Sequence, residues 1–153
     1  AAFWRRTADL QRSVGAAGKV VKILKTRVKE LDRALATSQS APNGLDQKLH
    51  QIKRTLYNLN LELNGQSSKQ PVGEPSRPTV RDRLRSAQLG TQMSTYGPTP
   101  NLKQTLRIAE DQFAGLRNKI NQLKEEKIPA FQEKLIEAGA PWTPGMEIPE
   151  VKK

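Results

Sequence analysis

The stretch Val14–Leu35, VGAAGKVVKILKTRVKELDRAL, decides the fold. Its apolar residues Val14, Ala17, Val21, Leu24, Val28, Leu31 and Leu35 recur in alternating steps of three and four. That spacing places them on one stripe of an α-helix. Leu10 and Phe3 carry the stripe backwards and predict one helix from Phe3 to Ala36, about 50 Å long at the standard rise. Gly15 and Gly18 each cost about 1 kcal/mol relative to Ala, yet the pattern runs on through them.

Working outward, the residues from Thr37 to Gly44 (TSQSAPNG) form a breaker cluster and predict a turn. Leu45, Leu49, Ile52, Leu56, Leu59 and Leu63 then repeat in fours and threes, and Asn64-Gly65 supplies a left-handed C-terminal cap. Two striped helices joined by a short loop predict an antiparallel hairpin over residues 1–65. Residues 66–98 hold Pro71, Pro75 and Pro78 with Gly73 and several serines, the texture of an extended connection. Within it a short helix is predicted over 79–88, with Thr79 as N-cap, Asp82 three positions on, and Val80, Leu84 and Ala87 on one face.

The third long helix is predicted over 99–139. Thr99 can cap it, and Pro100 at its first position has no amide proton to leave unpaired. Leu102, Leu106, Ala109, Phe113, Leu116, Ile120 and Leu123 repeat in fours and threes, with Phe131 and Leu135 further along. Pro129 removes a backbone hydrogen bond and predicts a kink near Glu125, and Gly139 suits the stop. Residues 140–153 form a non-helical tail. A helix striped on one side needs a partner, so the expectation is an all-α, up-down-up bundle of three long helices, with a short extra helix in the Pro-rich connection.

The 153 residues suffice for one domain, and 35% hydrophobic with 5% aromatic residues predicts a thin, aliphatic core. No run approaches the roughly 20 apolar residues of a membrane span. The absence of cysteine excludes disulfides, thiolate catalysis and cysteine-bound zinc. His50, the one histidine, sits just off its stripe without partners suited to metal binding or catalysis. Glu125 and Glu126 are adjacent on a helix and diverge, unlike a glycosidase pair facing across a cleft. No phosphate-cradling glycine loop and no nucleophile elbow occurs. The expectation is a chain without catalytic residues, metal or cofactor. Its opening, Ala1-Ala2-Phe3-Trp4, lacks an initiator Met and a signal-peptide pattern, and reads as a piece of a longer protein.

The net charge of +11 is uneven: residues 1–65 carry +7, residues 66–98 carry +3 and residues 99–153 carry +1. Lys22, Lys25, Lys29 and Arg33 form a ridge beside the first stripe. Such a ridge either neutralises phosphates on a polyanion or is a solvated flank whose methylene stems shield the core. Arg81, Arg83 and Arg85 alternate along the short helix and are expected to pair with Glu110, Asp111, Glu125 or Glu126. Tyr57, beside Leu56, is expected to pack at the stripe edge. Trp142, between Pro141 and Pro144, places a large indole on a non-helical tail, where it either folds back or covers another surface.

Several stretches form an ordered series: Ala1-Ala2-Phe3-Trp4, Leu63-Asn64-Gly65, Pro78-Thr79-Val80-Arg81-Asp82-Arg83, Tyr96-Gly97-Pro98-Thr99-Pro100, Ile108-Ala109-Glu110-Asp111-Gln112-Phe113, Ile128-Pro129-Ala130-Phe131 and Gly139-Ala140-Pro141-Trp142-Thr143-Pro144-Gly145. Together they resemble the C-terminal helical region of large bacterial exported proteins built on sortilin-like β-propellers with Asp-box repeats. Those proteins are often labelled glycosyl hydrolases or sialidase-like by their propellers. The resemblance spans nearly the whole chain, and the Ala-Pro-Trp-Thr-Pro-Gly ending is its most specific piece. It implies an appended, non-catalytic accessory module that packs on a propeller or mediates assembly, in a periplasmic or extracellular setting. No Asp-box occurs in this chain, so propeller activity does not transfer to it. Trp142, Pro141, Pro144 and Tyr96 are the candidate docking residues. A basic module binding nucleic acid or another polyanion through Lys22, Lys25, Lys29 and Arg33 is the alternative.

Overall fold

The structure, a computed structural model, describes residues 2–38, 44–65, 78–92, 97–148 and 151, with backbone alone at 91 and 92. The described residues are helical or irregular, with no strand among them. Four stretches of helix follow in order: α1 (Ala2–Ala36), α2 (Leu45–Asn64), α3 (Val80–Gln92), and α4 (Pro100–Gln122), which runs through a π-helical turn (Leu123–Lys127) into α5 (Ile128–Glu137). No helix among the described residues is long and apolar enough to cross a membrane.

The stripes are what is buried. Val14, Val21, Leu24 and Leu31 on α1 are at most 2% exposed, whereas Ile23, one position off the stripe, is 59% exposed. Leu49, Leu59 and Leu63 on α2 and Leu106, Ala109 and Leu116 on α4 are likewise buried. The tips of the helices follow their capping residues. The Gly65 amide, at φ +76°, donates to the Leu61 carbonyl at 2.9 Å where α2 ends. The Leu102 amide donates to Thr99 Oγ1 at 3.2 Å where α4 begins. At the end of α5 the Ala140 amide reaches the Leu135 carbonyl at 3.0 Å and the Gly139 amide reaches that of Ile136 at 3.0 Å, the paired closure of a Schellman motif.

The short helix starts at a reciprocal capping box. The Asp82 amide donates to Thr79 Oγ1 at 3.0 Å, and the Thr79 amide donates to Asp82 Oδ2 at 3.0 Å. Thr79→Ala removes one half and is expected to lower stability by about 1 kcal/mol. Urea unfolding should show an earlier midpoint at an unchanged slope, and Thr79→Ser should recover most of it. The helix runs to Gln92, past the expected end at Gln88. At Gly90, near its end, a Cβ would stand 2.5 Å from Leu102 Cδ2, so the α4 side chain lies close against this part of α3 and would have to shift for any larger residue.

Near Glu125, where the sequence predicts a proline kink, the chain makes a full π turn. The Ile128 amide donates to the Leu123 carbonyl five residues back. Two features of the sequence account for it. The Pro129 ring clashes with a carbonyl four residues earlier in a regular helix, and widening the turn relieves that clash. The stripe also takes one step of five, from Leu123 to Ile128, both fully buried. A regular helix would have turned Lys127 into the stripe. The extra residue of the π turn keeps Lys127 exposed and brings Ile128, Phe131 and Leu135 inward.

The chain divides into two compact units, Ala1–Val20 with Asn58–Lys119, and Val21–Tyr57 with Ile120–Lys153. In the first, Arg6 forks onto Glu110, joining α1 to α4, while Gln88 donates to Gln11 Oε1 at 3.1 Å, joining α3 to α1. In the second, Lys53 on α2 pairs with Asp32 on α1 at 3.0 Å. The expected turn at 37–44 falls partly, and the Pro-rich stretch at 66–77 wholly, outside the described residues.

Candidate functional site

The basic ridge and the tail both belong to the second unit. Lys22, Lys25, Lys29 and Arg33 are all exposed on α1, and none makes an ion pair among the described residues. Asp32, the nearest acid in sequence to Arg33, is taken by Lys53. The ridge is therefore a run of like charges at helical spacing with no internal neutralisation, an arrangement that weakly opposes its own helix.

The tail is held by a turn that its sequence specifies. The Met146 amide donates to the Thr143 carbonyl at 3.1 Å, with Pro144 and then Gly145, at φ +94°, between them. Proline followed by a positive-φ glycine is the signature of a type II turn. The turn buries Met146 and Thr143 while Pro141 and Pro144 stay exposed. Trp142 is 53% exposed, and its indole N–H donates to the Met146 carbonyl at 3.1 Å. The polar edge of the indole is thus satisfied within the tail, leaving ring surface to solvent. Ile148 and Val151 beyond it are 87% and 91% exposed. Tyr96, the fourth docking candidate, lies outside the described residues.

Arg27, which lies on α1 beside the ridge, approaches this turn closely. Its guanidinium lies against Gly145, where a Cβ would stand 2.6 Å from one guanidinium nitrogen and 2.8 Å from the carbon. Gly145→Ala meets both that contact and the left-handed backbone, and is expected to cost about 1–3 kcal/mol locally. In a Trp4→Phe background, leaving one indole, the emission of Trp142 should move to the red. An unchanged spectrum would place the turn elsewhere.

The arginines of α3 do not meet the acids expected for them. Arg81 donates through Nε to Asn64 Oδ1 and lies over Gly18, and Arg83 Nε is buried with no partner among the described residues. Glu110 is bound instead to Arg6, whose guanidinium is held above its ordinary range by that hydrogen bond first and the charge second. Pairing across helices depends on which face each helix turns inward, and the α4 face bearing Glu110 meets the start of α1. Tyr57, expected at the stripe edge, is 53% exposed.

Two grooves are formed by side chains far apart in sequence. In the first unit Trp4, Thr7, Ala8 and Gln11 on α1 face Arg85, Gln88 and Leu89 on α3 across about 420 Å³. In the second, Lys48, Gln51, Ile52 and Thr55 on α2 face Lys127, Ala130, Phe131 and Lys134 across about 300 Å³. Neither groove contains a nucleophile with an adjacent base. His50, Glu125 and Glu126 are exposed, and no three of His, Asp and Glu among the described residues converge on a point where a metal ion would sit.

No family model, no curated protein and no solved structure matches the chain.

Proposed function

We propose that the chain is a non-catalytic helical accessory domain that docks through its tail onto a sortilin-like β-propeller, or mediates assembly around one, in an exported bacterial protein. The propeller, the export and the periplasmic or extracellular setting rest on the sequence resemblance. Its long helices would close their apolar stripes in an up-down-up order. The observation that carries the reading is Trp142. An indole bracketed by two prolines and tied by its own N–H to the Met146 carbonyl is pre-organised to offer its apolar surface. Aromatic side chains held this way commonly dominate binding energy at protein interfaces.

The exposed Ile148 and Val151 extend the apolar surface in sequence. Calorimetric titration of the chain into the propeller at about 150 mM salt tests the proposal. Saturable binding supports it, and no heat with no co-migration removes it.

A second reading, a module binding nucleic acid or another polyanion, is favoured by the unpaired ridge of Lys22, Lys25, Lys29 and Arg33. Its signature is salt. Affinity for duplex DNA falling by orders of magnitude between about 50 and 200 mM salt identifies an electrostatic binder. A flat dependence, or no binding, counts against this second reading.

A further inference from the structure

The groove between α2 and the π turn–α5 segment has a composition that neither reading uses. Its floor is apolar: Ile52 is 6% exposed and Phe131 2%. Its rim carries Lys48, Lys127 and Lys134, no carboxylate lines it, and none of the three lysines is in an ion pair among the described residues. We propose that this groove binds a small amphiphilic anion, with an aromatic or acyl body on Ile52 and Phe131 and a carboxylate, sulfonate or phosphate head among the three lysines.

Charge, apolar surface and size all favour that chemistry. Lys48, Lys127 and Lys134 bring positive charge to the rim with no carboxylate among the lining residues, and an anionic head placed there gains charge-assisted contacts. The accessible lining of the groove as a whole is mostly apolar, and covering it with a hydrocarbon body is favourable in proportion to the area removed. At about 300 Å³ the groove lies at the small end of ligand pockets, which matches a fused bicyclic ring or a medium-length acyl chain.

The π turn supplies an independent reason to look here. Its last residue is Lys127. By absorbing one residue between Leu123 and Ile128, the turn places Lys127 and Phe131 on the same groove, the lysine at the rim and the ring at the floor. Single π turns inside α-helices recur at functional sites because the extra residue re-aims neighbouring side chains at the expense of regular geometry.

The test pairs two dyes that share a ring system and differ in charge, 1-anilinonaphthalene-8-sulfonate and the neutral N-phenyl-1-naphthylamine, added to the full chain at about 150 mM salt. The expected result is saturable, one-to-one enhancement of the sulfonate dye, at least tenfold tighter than the neutral dye. In the Lys127→Glu/Lys134→Glu chain the sulfonate dye should bind at least tenfold more weakly, while helical content by circular dichroism is unchanged. A charge-matched control, Lys103→Glu/Lys119→Glu, alters exposed lysines of the other unit and should leave its affinity as it was. Equal binding of the two dyes, no binding, or equal losses in the two variants overturns the proposal. Displacement of the bound dye by poly-L-glutamate at equal anion concentration also overturns it, because that result assigns the lysines to a polyanion or an acidic protein segment.

Discussion

Ile128→Ala is expected to lower the free energy of unfolding by about 2–5 kcal/mol, whereas Lys127→Ala changes it by less than about 0.5 kcal/mol. The contrast between neighbours follows from the π turn. Ile128 is fully buried and its amide closes the five-residue hydrogen bond to Leu123, while Lys127 lies exposed at the rim of a groove. A helix continuing in regular turns from Leu123 would reverse the ranking, because position 127 would fall on the stripe. Chemical denaturation of the two variants, fitted at a common slope, decides between the geometries. Pro129→Ala serves as a further discriminator. With the five-residue step still in the sequence, the turn should persist and stability should move little.

The second large effect is Leu24→Asp. Leu24 is 1% exposed, so the new carboxylate loses its water without gaining a partner, at a cost of several kcal/mol. Against a typical total of about 5–15 kcal/mol, that is enough to leave a large unfolded fraction, visible as lost helical ellipticity. Ile23→Asp, one residue earlier and 59% exposed, should stay within about 0.5 kcal/mol of the parent. Lys19 and Arg27, four residues to either side of it, would even favour the new charge. Similar losses in both variants would mean that the stripe does not set the buried face.

These two pairs mark where the sequence was transparent and where it was not. The α1 stripe was legible because a period of 3.6 over more than twenty residues leaves little choice of face, and the ends were legible where Thr79, Thr99, Pro100 and Gly139 have one preferred place in a helix. The π turn was written in the spacing too, as the single step of five to Ile128. Following the threes and fours to Leu123 and resuming at Phe131 steps over it. The groove was not legible, because it needs residues 48–55 and 127–134 to meet, and neither segment carries a signal of its own. Arg27 was hidden in the same way. Only the approach of Gly145, more than a hundred residues on, separates it from the lysines beside it. The arginines of α3 show the same limit, since charge spacing on one helix does not say which acid the neighbouring helix will present.

Function turns on whether the pre-organised indole of the tail is the part that binds. The decisive measurement is titration of the Trp4→Phe chain with the proposed propeller partner, with 7-azatryptophan in place of Trp142 and excited to the red of the partner's own tryptophans, following the emission of that one indole. The account predicts a blue shift as the half-exposed ring is covered, and at least a hundredfold weaker binding of Trp142→Ala with an unchanged melting temperature. Binding that leaves the emission where it was, or that survives Trp142→Ala undiminished, contradicts it.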